Sequence, residues 1–383
     1  MEEKGKTKYA ALMENLKGDI LSGKIKPGEK LPSENELSAK YEISRHTVRK
    51  ALGILANEGY ITAEHGRGTF CSERMRHTKN SRNIAVITTY MSDYIFPRLL
   101  QGIDRVLTEN GYSIMLKNTG NSRAREVQCL EDILTKDIDG LIIEPSKSQM
   151  YCKHQHLYER LDEYGIPYVF IQGIFPQMGE KPYVLMDDCQ GGYVLTRYLI
   201  EQGHSQIAGI FKADDIQGQE RHKGYVKALQ EFGMPYNPDM VVWFHTEDRT
   251  IKPISEVDRM VKSGIPMDAV VCYNDQIAME AIRILKMAGR RVPEEISVTG
   301  YDNSAIGQSG HVKLTTIAHP QEQMGKMAAE LLLSCIRGEE LSETQRHLRI
   351  APELIVRESC RERKTTCKDE RTSPKMKLST DME

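Results

Sequence analysis

The sequence carries almost no net charge. It contains 52 Lys and Arg against 54 Asp and Glu, which gives a formal net charge of −2 at pH 7. Neither a protein-wide positive field that attracts nucleic acid nor an acidic excess that attracts a cationic partner is present. Any charged partner must therefore be recognised by a local surface of the protein.

Cysteine pairs and long apolar runs are also missing. The eight cysteines include no CxxC pair, which argues against a zinc ribbon, a thioredoxin-like site and a disulfide scaffold, and favours a reduced compartment. No segment approaches the roughly 18 apolar residues of a membrane span, and the N-terminus lacks the apolar core of a signal peptide. We therefore expect a cytoplasmic protein with no membrane partner.

The charge is unevenly distributed along the chain. Residues 1–82 hold 16 Lys and Arg and 11 Asp and Glu, a local balance of 16 − 11 = +5. Much of this excess lies in 73–82, which has few apolar residues and no periodicity and is interpreted as a linker. It separates an N-terminal module, 1–72, from a body, 83–360. The segment 361–383 is polar and aperiodic, which is typical of a disordered tail.

In the body, short apolar runs alternate with helical stretches. This alternation is typical of a parallel sheet with crossover helices. The runs occupy 84–89, 112–116, 140–144, 168–172, 206–211, 269–272 and 296–300. They form two successive groups, which predicts an α/β body with two lobes.

The N-terminal module has the pattern of a winged helix-turn-helix. Apolar residues at helical spacing predict a first helix that ends near Gly23, and a Ser-x-x-Glu capping box at 33–36 begins a second. The segment 45–58 places its apolar residues on one face and its cations on the other. Two short strands, 60–63 and 69–71, flank a glycine-bearing tip and would form a wing.

A basic helix face is often no more than a solvated surface, and for any single cation here this is the simpler interpretation. The combined segments 25–34, 44–52, 58–60 and 66–70, however, closely resemble the winged-helix domain of the GntR family. That resemblance spans about residues 5–72 and implies that operator DNA is a partner.

The resemblance also implies individual DNA contacts. Those that would read bases are Arg45, His46, Thr47 and Arg49. Those that would contact the sugar-phosphate backbone or adjacent base edges are Lys8, Ser33, Glu34 and the wing residues His65, Gly66 and Arg67. Two of these residues have a structural alternative, since Ser33 can cap a helix and Thr47 can be a packing residue.

The body contains no catalytic motif. A P-loop, an HExxH pair, a Gly-x-Ser-x-Gly elbow and a strand-linked GxGxxG are all missing from the sequence. The cluster Cys152, His154 and His156 fits no standard metal spacing. We therefore predict no catalytic residue, no metal site and no cofactor.

Polar side chains follow several of the predicted strands, at the sheet edge where open α/β folds place ligands. They are Thr89, Tyr90, Glu144, Gln172, Asn274 and Asp302. For each one alone a helix cap is the simpler interpretation, and Asp275 in particular is expected to cap the helix that it precedes. Together with Arg221 and an aromatic wall that includes His245, they suit a neutral ligand with many hydroxyls, such as a sugar.

Residues 83–357 resemble the core of the LacI/GalR family and its periplasmic sugar-binding relatives. The likeness rests on 184–187, 203–208, 221–225, 274–278, 291–302 and 314–317. It implies that Arg221, Asn274 and Asp302 hold ligand hydroxyls, and less securely that Thr89, Gln172 and His319 do. His319 departs from the glutamine often found there, and Glu144 is unusual for the group.

The predicted fold class is therefore α/β, with an N-terminal winged helix-turn-helix and a two-lobed effector domain like the periplasmic binding proteins. The same fusion occurs in the arabinose-responsive repressors of Gram-positive bacteria, which implies L-arabinose as effector. We expect a homodimeric repressor that sugar binding in the cleft releases from DNA. Two alternatives stay open: an exported sugar-binding protein, and an α/β enzyme that uses Glu144, Asp275 or Asp302.

Overall fold

The computed structural model describes residues 8–21, 23–64, 66–72, 80–91 and 94–363. Three sequence predictions fall wholly or partly outside these ranges: the wing residue His65, the linker over 73–79 and the tail over 364–383. Within them, three helices and a two-stranded wing come first, and helices and strands largely alternate from β3 onward.

The helices, in chain order, are α1 (Lys8–Leu21), α2 (Glu34–Tyr41), α3 (Arg45–Asn57), α4 (Phe96–Glu109), α5 (Arg123–Ile133), α6 (Gln155–Glu163), α7 (Asp188–Glu201), α8 (Ile216–Glu231), α9 (Lys252–Lys262), α10 (Asp275–Met287), α11 (Ala305–Ser309), α12 (Gln321–Arg337) and α13 (Glu343–Arg346). The strands are β1 (Ile61–Glu64), β2 (Gly68–Cys71), β3 (Asn83–Thr88), β4 (Ser113–Asn118), β5 (Gly140–Ile143), β6 (Tyr168–Ile171), β7 (Tyr183–Met186), β8 (Ile207–Lys212), β9 (Val241–Phe244), β10 (Ala269–Cys272), β11 (Ser297–Thr299), β12 (Thr316–Ala318), β13 (His347–Ile350) and β14 (Glu353–Ile355). Two 3₁₀ turns lie at Pro176–Met178 and Pro238–Met240.

The N-terminal module is a winged helix-turn-helix, as the sequence predicted. Leu16 and Ile20 of α1 share one buried cluster with Val48 and Leu55 of α3. Strands β1 and β2 pair antiparallel and form the wing. The capping box is present, because Ser33 Oγ accepts from the backbone N–H of Glu36 while the Glu36 carboxylate accepts from that of Ser33. These local signals explain why the helix boundaries were predictable.

Two sheets form the body. Lobe 1 has six parallel strands in the order β13-β7-β6-β5-β3-β4, and lobe 2 has four parallel strands in the order β11-β10-β8-β9. Helix α12 packs on α4 and on the lobe 1 sheet, whereas α7 packs on α8 beside lobe 2. The predicted α/β fold class is confirmed.

The two predicted groups of strands do form the two lobes, but the sequence did not reveal that the chain later crosses between them again. After the lobe 2 strands, the chain returns to lobe 1 through α12 and adds β13 beside β7. It then crosses again, and β14 pairs antiparallel with β12. These late strands are only three or four residues long, so their hydrophobic pattern does not reveal which distant strand they join.

Two glycines bring helices α7 and α8 into close contact. A Cβ added to Gly192 of α7 would lie 2.0 Å from the carbonyl oxygen of Arg221 on α8, and one added to Gly224 would lie 1.9 Å from that of Cys189. Neither position can hold a larger residue unless the helices move apart. This contact sets the position of α8, the helix that carries Arg221.

Over the described ranges, no helix is long and apolar enough to cross a membrane. The cysteines there, Cys71, Cys129, Cys152, Cys189, Cys272, Cys335 and Cys360, are all free thiols. The same part of the chain contains no group of three His, Cys, Asp or Glu side chains that could hold a metal ion.

Candidate effector cleft and DNA-binding face

A cavity of about 600 Å³ is lined by residues of both lobes. Seven of the nine predicted effector residues line it: Thr89, Tyr90, Glu144, Gln172, Arg221, Asn274 and Asp302. The carboxyl ends of parallel strands meet at this edge, which is why residues far apart in sequence converge here.

Two predicted effector residues do not line the cavity, which corrects their placement. His245 is exposed beyond the end of β9, and its backbone N–H donates to Oδ1 of Asp248 in a turn. His319 is buried behind Gln172, with its Nε2 2.9 Å from Gln172 Oε1. Burial lowers the pKa of His319 to about 4, so the neutral ring donates to the amide oxygen and orients Gln172.

Arg221 is held by groups that the sequence did not single out. Its Nε donates to Asp188 Oδ1 at 2.8 Å, and its Nη1 donates to the carbonyl oxygen of Tyr273 at 2.6 Å. The guanidinium stacks on the ring of Tyr301 with its central carbon 3.5 Å from the centroid. Nη2 lies 3.9 Å from Asp302 Oδ1. This edge of the guanidinium therefore faces Asp302, which is predicted to bind a ligand hydroxyl.

Burial raises the pKa of Asp188 to about 6, although the neighbouring Arg221 opposes the shift. At neutral pH the Asp188 carboxyl is therefore mostly ionised. Its negative charge neutralises the Arg221 guanidinium within the protein.

A second buried ion pair lines the cavity at the end of β8. Lys212 Nζ donates to Asp215 Oδ2 at 2.8 Å and lies 3.6 Å from Asp214 Oδ1. Tyr273 Oη donates to the same Asp215 oxygen at 2.9 Å. Burial lowers the pKa of Lys212, but the two carboxylates outweigh it and raise the pKa overall. The signal in the sequence was the Lys-Ala-Asp-Asp run, 212–215, which begins at the last residue of the strand.

Glu144 presents one carboxylate oxygen to lobe 1 and leaves the other for the cavity. Its Oε2 accepts from the backbone N–H of Thr89 at 2.9 Å and from the Thr89 hydroxyl at 2.6 Å. Burial raises the pKa of Glu144 to about 7. The side chain is therefore poised between its protonated and ionised forms near neutral pH.

The cap of α10 is Asn274, not Asp275, which corrects the sequence prediction. Asn274 Oδ1 accepts from the backbone N–H of Ile277 at 3.0 Å. Asp275 is fully buried and accepts from the Ser304 N–H at 2.7 Å and the Thr316 hydroxyl at 2.7 Å. It joins three segments of lobe 2, and the amide nitrogen of Asn274 is the group left to face a ligand.

Two glutamines have unused polar atoms beside the cavity. Gln172 Nε2 and Gln217 Oε1 are buried, and among the described residues neither has a hydrogen-bond partner. Gln172 also adopts a left-handed backbone, with φ of 64°. Unpaired buried amides are costly unless a ligand satisfies them, and a hydroxyl can donate to one and accept from the other.

On the N-terminal module, Arg45 and His46 lie exposed at the start of α3. Arg49 is also exposed, and its Nε donates to Glu34 Oε2 at 2.8 Å. Thr47 Oγ1 lies 2.8 Å from the hydroxyl of Ser44, which caps the helix. Arg49, which the resemblance assigned to base reading, and Glu34, which it assigned to the DNA backbone or adjacent base edges, thus form one surface.

The wing and the start of α1 hold the remaining predicted contacts. Gly66 has φ of 76°, which a residue with a side chain rarely adopts, and Arg67 is exposed beside it. Arg67 Nη1 lies 2.6 Å from Glu64 Oε2. Lys8 is exposed at the first residue of α1, and Ser33 is the helix cap described above.

Comparisons with known proteins agree with this architecture. Residues 8–71 match the family described as bacterial regulatory proteins, gntR family, and 196–360 match a periplasmic binding protein-like domain. An arabinose metabolism transcriptional repressor of Halalkalibacterium halodurans is 41% identical, over 94% of this chain and 98% of its own length. The chain belongs to the family of the arabinose metabolism transcriptional repressors.

A second member of this repressor family, from Geobacillus stearothermophilus, is 39% identical over 94% of this chain and 100% of its own length. Among solved structures, a complex of the transcriptional regulator CelR with cellobiose has a TM-score of 0.65 at 24% identity, covering 86% of this chain and all of that one. Lactococcus lactis CcpA has a TM-score of 0.64 at 24% identity, covering 73% of this chain and 99% of its own. These structures support the fold.

Membership in the repressor family decides between the classes left open by the sequence. The chain is a transcriptional repressor with a GntR-type DNA-binding domain and not an enzyme. The carboxylates Glu144, Asp275 and Asp302 are accordingly binding or structural groups in a repressor core.

Proposed function

We propose that L-arabinose binds in the cleft and releases this repressor from its operator. The observation that carries the proposal is the charge balance of the cavity. Its two buried cations are each neutralised within the protein, Arg221 by Asp188 and Lys212 by Asp215. A site for a phosphorylated sugar needs buried cations that are free to pair with phosphate. The third cation of the lining, Arg249, is exposed and donates to Tyr90 Oη at 3.0 Å, so the buried part of this cavity suits a neutral polyol.

The residues that would hold the sugar are those that offer it unused hydrogen-bonding atoms. Arg221, Asp302 and Asn274 belong to lobe 2, and Glu144 and Gln172 belong to lobe 1. Because the sugar would contact both lobes, its binding favours the closed arrangement. Tyr90 and Phe244, which also line the cavity, would supply apolar contact to the sugar ring. The names of the two repressor relatives support arabinose as the sugar.

We further propose that the repressor acts in the cytoplasm as a homodimer on double-stranded operator DNA. A helix-turn-helix dimer places two recognition helices in successive major grooves, so its operator has two related half-sites. The exposed residues at the start of α3, Arg45 and His46, would read base edges, and the wing residue Arg67 would contact the adjacent backbone.

Calorimetric titration with a panel of sugars tests the effector. L-Arabinose is expected to bind with one site per chain, while D-xylose, D-glucose and arabinose 5-phosphate bind much more weakly. Recovery of the sugar after incubation is expected to return it unchanged. Preferential binding of the phosphate ester would contradict the argument from the charges of the cavity. Binding of a different neutral sugar would change the identity of the effector but leave the argument for a neutral sugar intact.

A further inference from the structure

A loop of lobe 1 reaches across the cleft to lobe 2. The residue at the tip of this loop does not line the cavity. This segment, residues 145–148, is called the Lys147 loop. Lys147 has φ of 50°, a left-handed backbone that a residue with a side chain adopts only when neighbouring contacts enforce it. Pro145 and Ser148 line the cavity, but Lys147 does not.

Two buried polar residues of lobe 1 hold the loop in this conformation. Asn121 Oδ1 accepts from the backbone N–H of Lys147 at 2.7 Å. The carboxylate of Glu126, which is fully buried, accepts from the N–H of Ser146 and lies 2.8 Å from both His154 Nε2 and Tyr158 Oη. The loop is therefore built into lobe 1 rather than loosely attached.

The outer side of the loop meets lobe 2. Lys147 Nζ donates to Glu247 Oε1 and lies 3.6 Å from Asp214 Oδ2. Ser148 Oγ accepts from the backbone N–H of Ile216, the first residue of α8, at 3.0 Å. Asn121 adds a third bridge, since its Nδ2 donates to Thr246 Oγ1 at 2.7 Å.

Asp214 links this contact to the cation inside the cavity. Only 1% of its side chain is exposed, and its two oxygens face two lysines: Oδ1 lies 3.6 Å from Lys212 and Oδ2 lies 3.6 Å from Lys147. Separation of the lobes would remove Lys147 and leave Asp214 with one cation fewer. Only the closed arrangement places Lys147 beside this nearly buried carboxylate, where water screens the attraction little, so the pair stabilises the closed form selectively.

We propose that Lys147 is a positioning residue that latches lobe 1 onto Asp214 and Glu247 of lobe 2 and so prolongs occupancy of the cleft without touching the effector. The proposal rests on the effector role of the cleft described above. Because the contact exists only when the lobes are closed, Lys147 slows the opening that lets a ligand leave. Loss of the latch therefore changes the dissociation rate more than the association rate.

The test compares Lys147→Met with Lys181→Met. Methionine keeps an unbranched side chain that is only one atom shorter, and it removes the charge. Lys181 is a matched control because its Nζ pairs with Asp162 at 2.8 Å within lobe 1 and spans no cleft. The dissociation rate of L-arabinose can be followed through Trp243, the single tryptophan, which directly precedes the cavity-lining Phe244.

K147M is expected to raise the dissociation rate about tenfold and to remove most of its salt dependence between about 0.05 and 0.5 M NaCl. E247Q should give a smaller change of the same kind, since Glu247 is 68% exposed and its pairing is screened by solvent. K181M should match the wild type. Equal dissociation rates in K147M, K181M and the wild type would overturn the proposal.

Hydrogen exchange measured without any sugar tests the role of Lys147 independently of whether L-arabinose is the effector. The amide of Ile216 is the first of α8 and so has no partner within the helix, and Ser148 Oγ across the cleft protects it. K147M is expected to speed exchange at Ile216 about tenfold in the free protein. Unchanged exchange at this amide would refute the latch, even in a protein that does not bind L-arabinose.

Discussion

The Nε atom of Arg221 on α8 donates a 2.8 Å hydrogen bond to Oδ1 of Asp188 on α7, and both side chains are buried. This bond fixes the rotation of the guanidinium about its long axis. One edge then points to Tyr273 and the remaining edge faces Asp302. Asp188 therefore holds the Arg221 guanidinium in one orientation, with a hydrogen-bond donor directed toward the cleft.

Replacement of this guanidinium should abolish the response to sugar. Arg221→Ala is expected to weaken sugar binding by about 100-fold or more, because it removes the ligand contact and leaves Asp188 buried without a partner. Titration calorimetry measures the loss directly. Operator binding should persist, since the winged helix is a separate part of the chain.

Without the guanidinium, the buried Asp188 must either take up a proton or keep an unpaired charge, which costs up to about 3–5 kcal/mol of folding stability, so the double variant R221A/D188N is the appropriate companion. It should recover much of the stability and still fail to respond to sugar. Arg197→Ala removes an exposed arginine that pairs with Glu201 on the same helix and should behave as the wild type. A normal induction curve for R221A would show that Arg221 does not hold the effector.

The close contact between α7 and α8 predicts a second effect on the site. Gly192→Ala places a Cβ against the carbonyl oxygen of Arg221, so α8 must shift. We expect a loss of about 1–3 kcal/mol in the free energy of unfolding and a clear decrease in sugar affinity, although residue 192 does not line the cavity. Denaturant titration and calorimetry check the two parts.

Gly18→Ala is the matched control for this substitution. Gly18 lies within α1 with no atom within 4 Å of an added Cβ, so alanine should stabilise the protein by about 0.5–1 kcal/mol. If G192A left both stability and sugar affinity unchanged, the proposed packing constraint on Arg221 would be incorrect.

Local signals account for what the sequence predicted well. The recognition helix was expected over 45–58 and occupies Arg45–Asn57, and the strand expected over 269–272 is β10. Apolar periodicity, the capping box at 33–36 and a short β-branched run are properties of neighbouring residues. Such features can be recognised in the sequence because they do not depend on contacts with distant residues.

Long-range pairing accounts for most of what the sequence did not predict. Asp188 reaches Arg221 only because α7 packs beside α8, and Lys212 lines the cavity only because β8 ends next to β10. Asp275 was expected to cap its helix, since sequence does not show that Ser304 and Thr316 lie within reach of it. His245 was included as an aromatic wall residue, and the turn after β9 directs it outside the cavity lining.

Sugar affinity should depend on pH through Glu144. Burial raises the pKa of this carboxyl to about 7, and a sugar hydroxyl that donates to its free oxygen favours the ionised form. Binding then releases a proton, so affinity rises with pH, by up to about tenfold between pH 6 and pH 8. Calorimetry across this range measures the trend.

The variant Glu144→Gln serves as the control for this pH dependence. Glutamine keeps the shape of the side chain and does not titrate, so the profile should flatten. An affinity that falls as pH rises through 7 would mean that the protonated carboxyl donates to the sugar, and would reverse the assigned role of Glu144.

DNA recognition is expected to depend on the start of α3. Arg45→Ala should weaken specific operator binding by about 1–3 kcal/mol and leave sugar binding unchanged, since the exposed side chain has the position of a base-reading residue. Gel-shift titration on operator and unrelated DNA measures the specific part.

Lys8→Ala provides the contrast to Arg45→Ala. A phosphate contact carries no sequence information, so its loss should weaken binding to all DNA equally and reduce the slope of log affinity against log salt by about one. Arg105→Ala, on an exposed arginine of α4 that pairs with Glu322, should have no effect on either. Unchanged operator affinity in R45A would remove Arg45 from the base-reading set.

The central claim is that a neutral sugar in the cleft controls the affinity for DNA. An operator-binding titration of the wild type with and without saturating L-arabinose tests it most directly, together with the affinity for L-arabinose of the free protein and the operator complex. We expect weaker operator binding with sugar, and by linkage an equally weaker sugar affinity in the operator complex. Operator affinity that stays the same while L-arabinose is bound would contradict it.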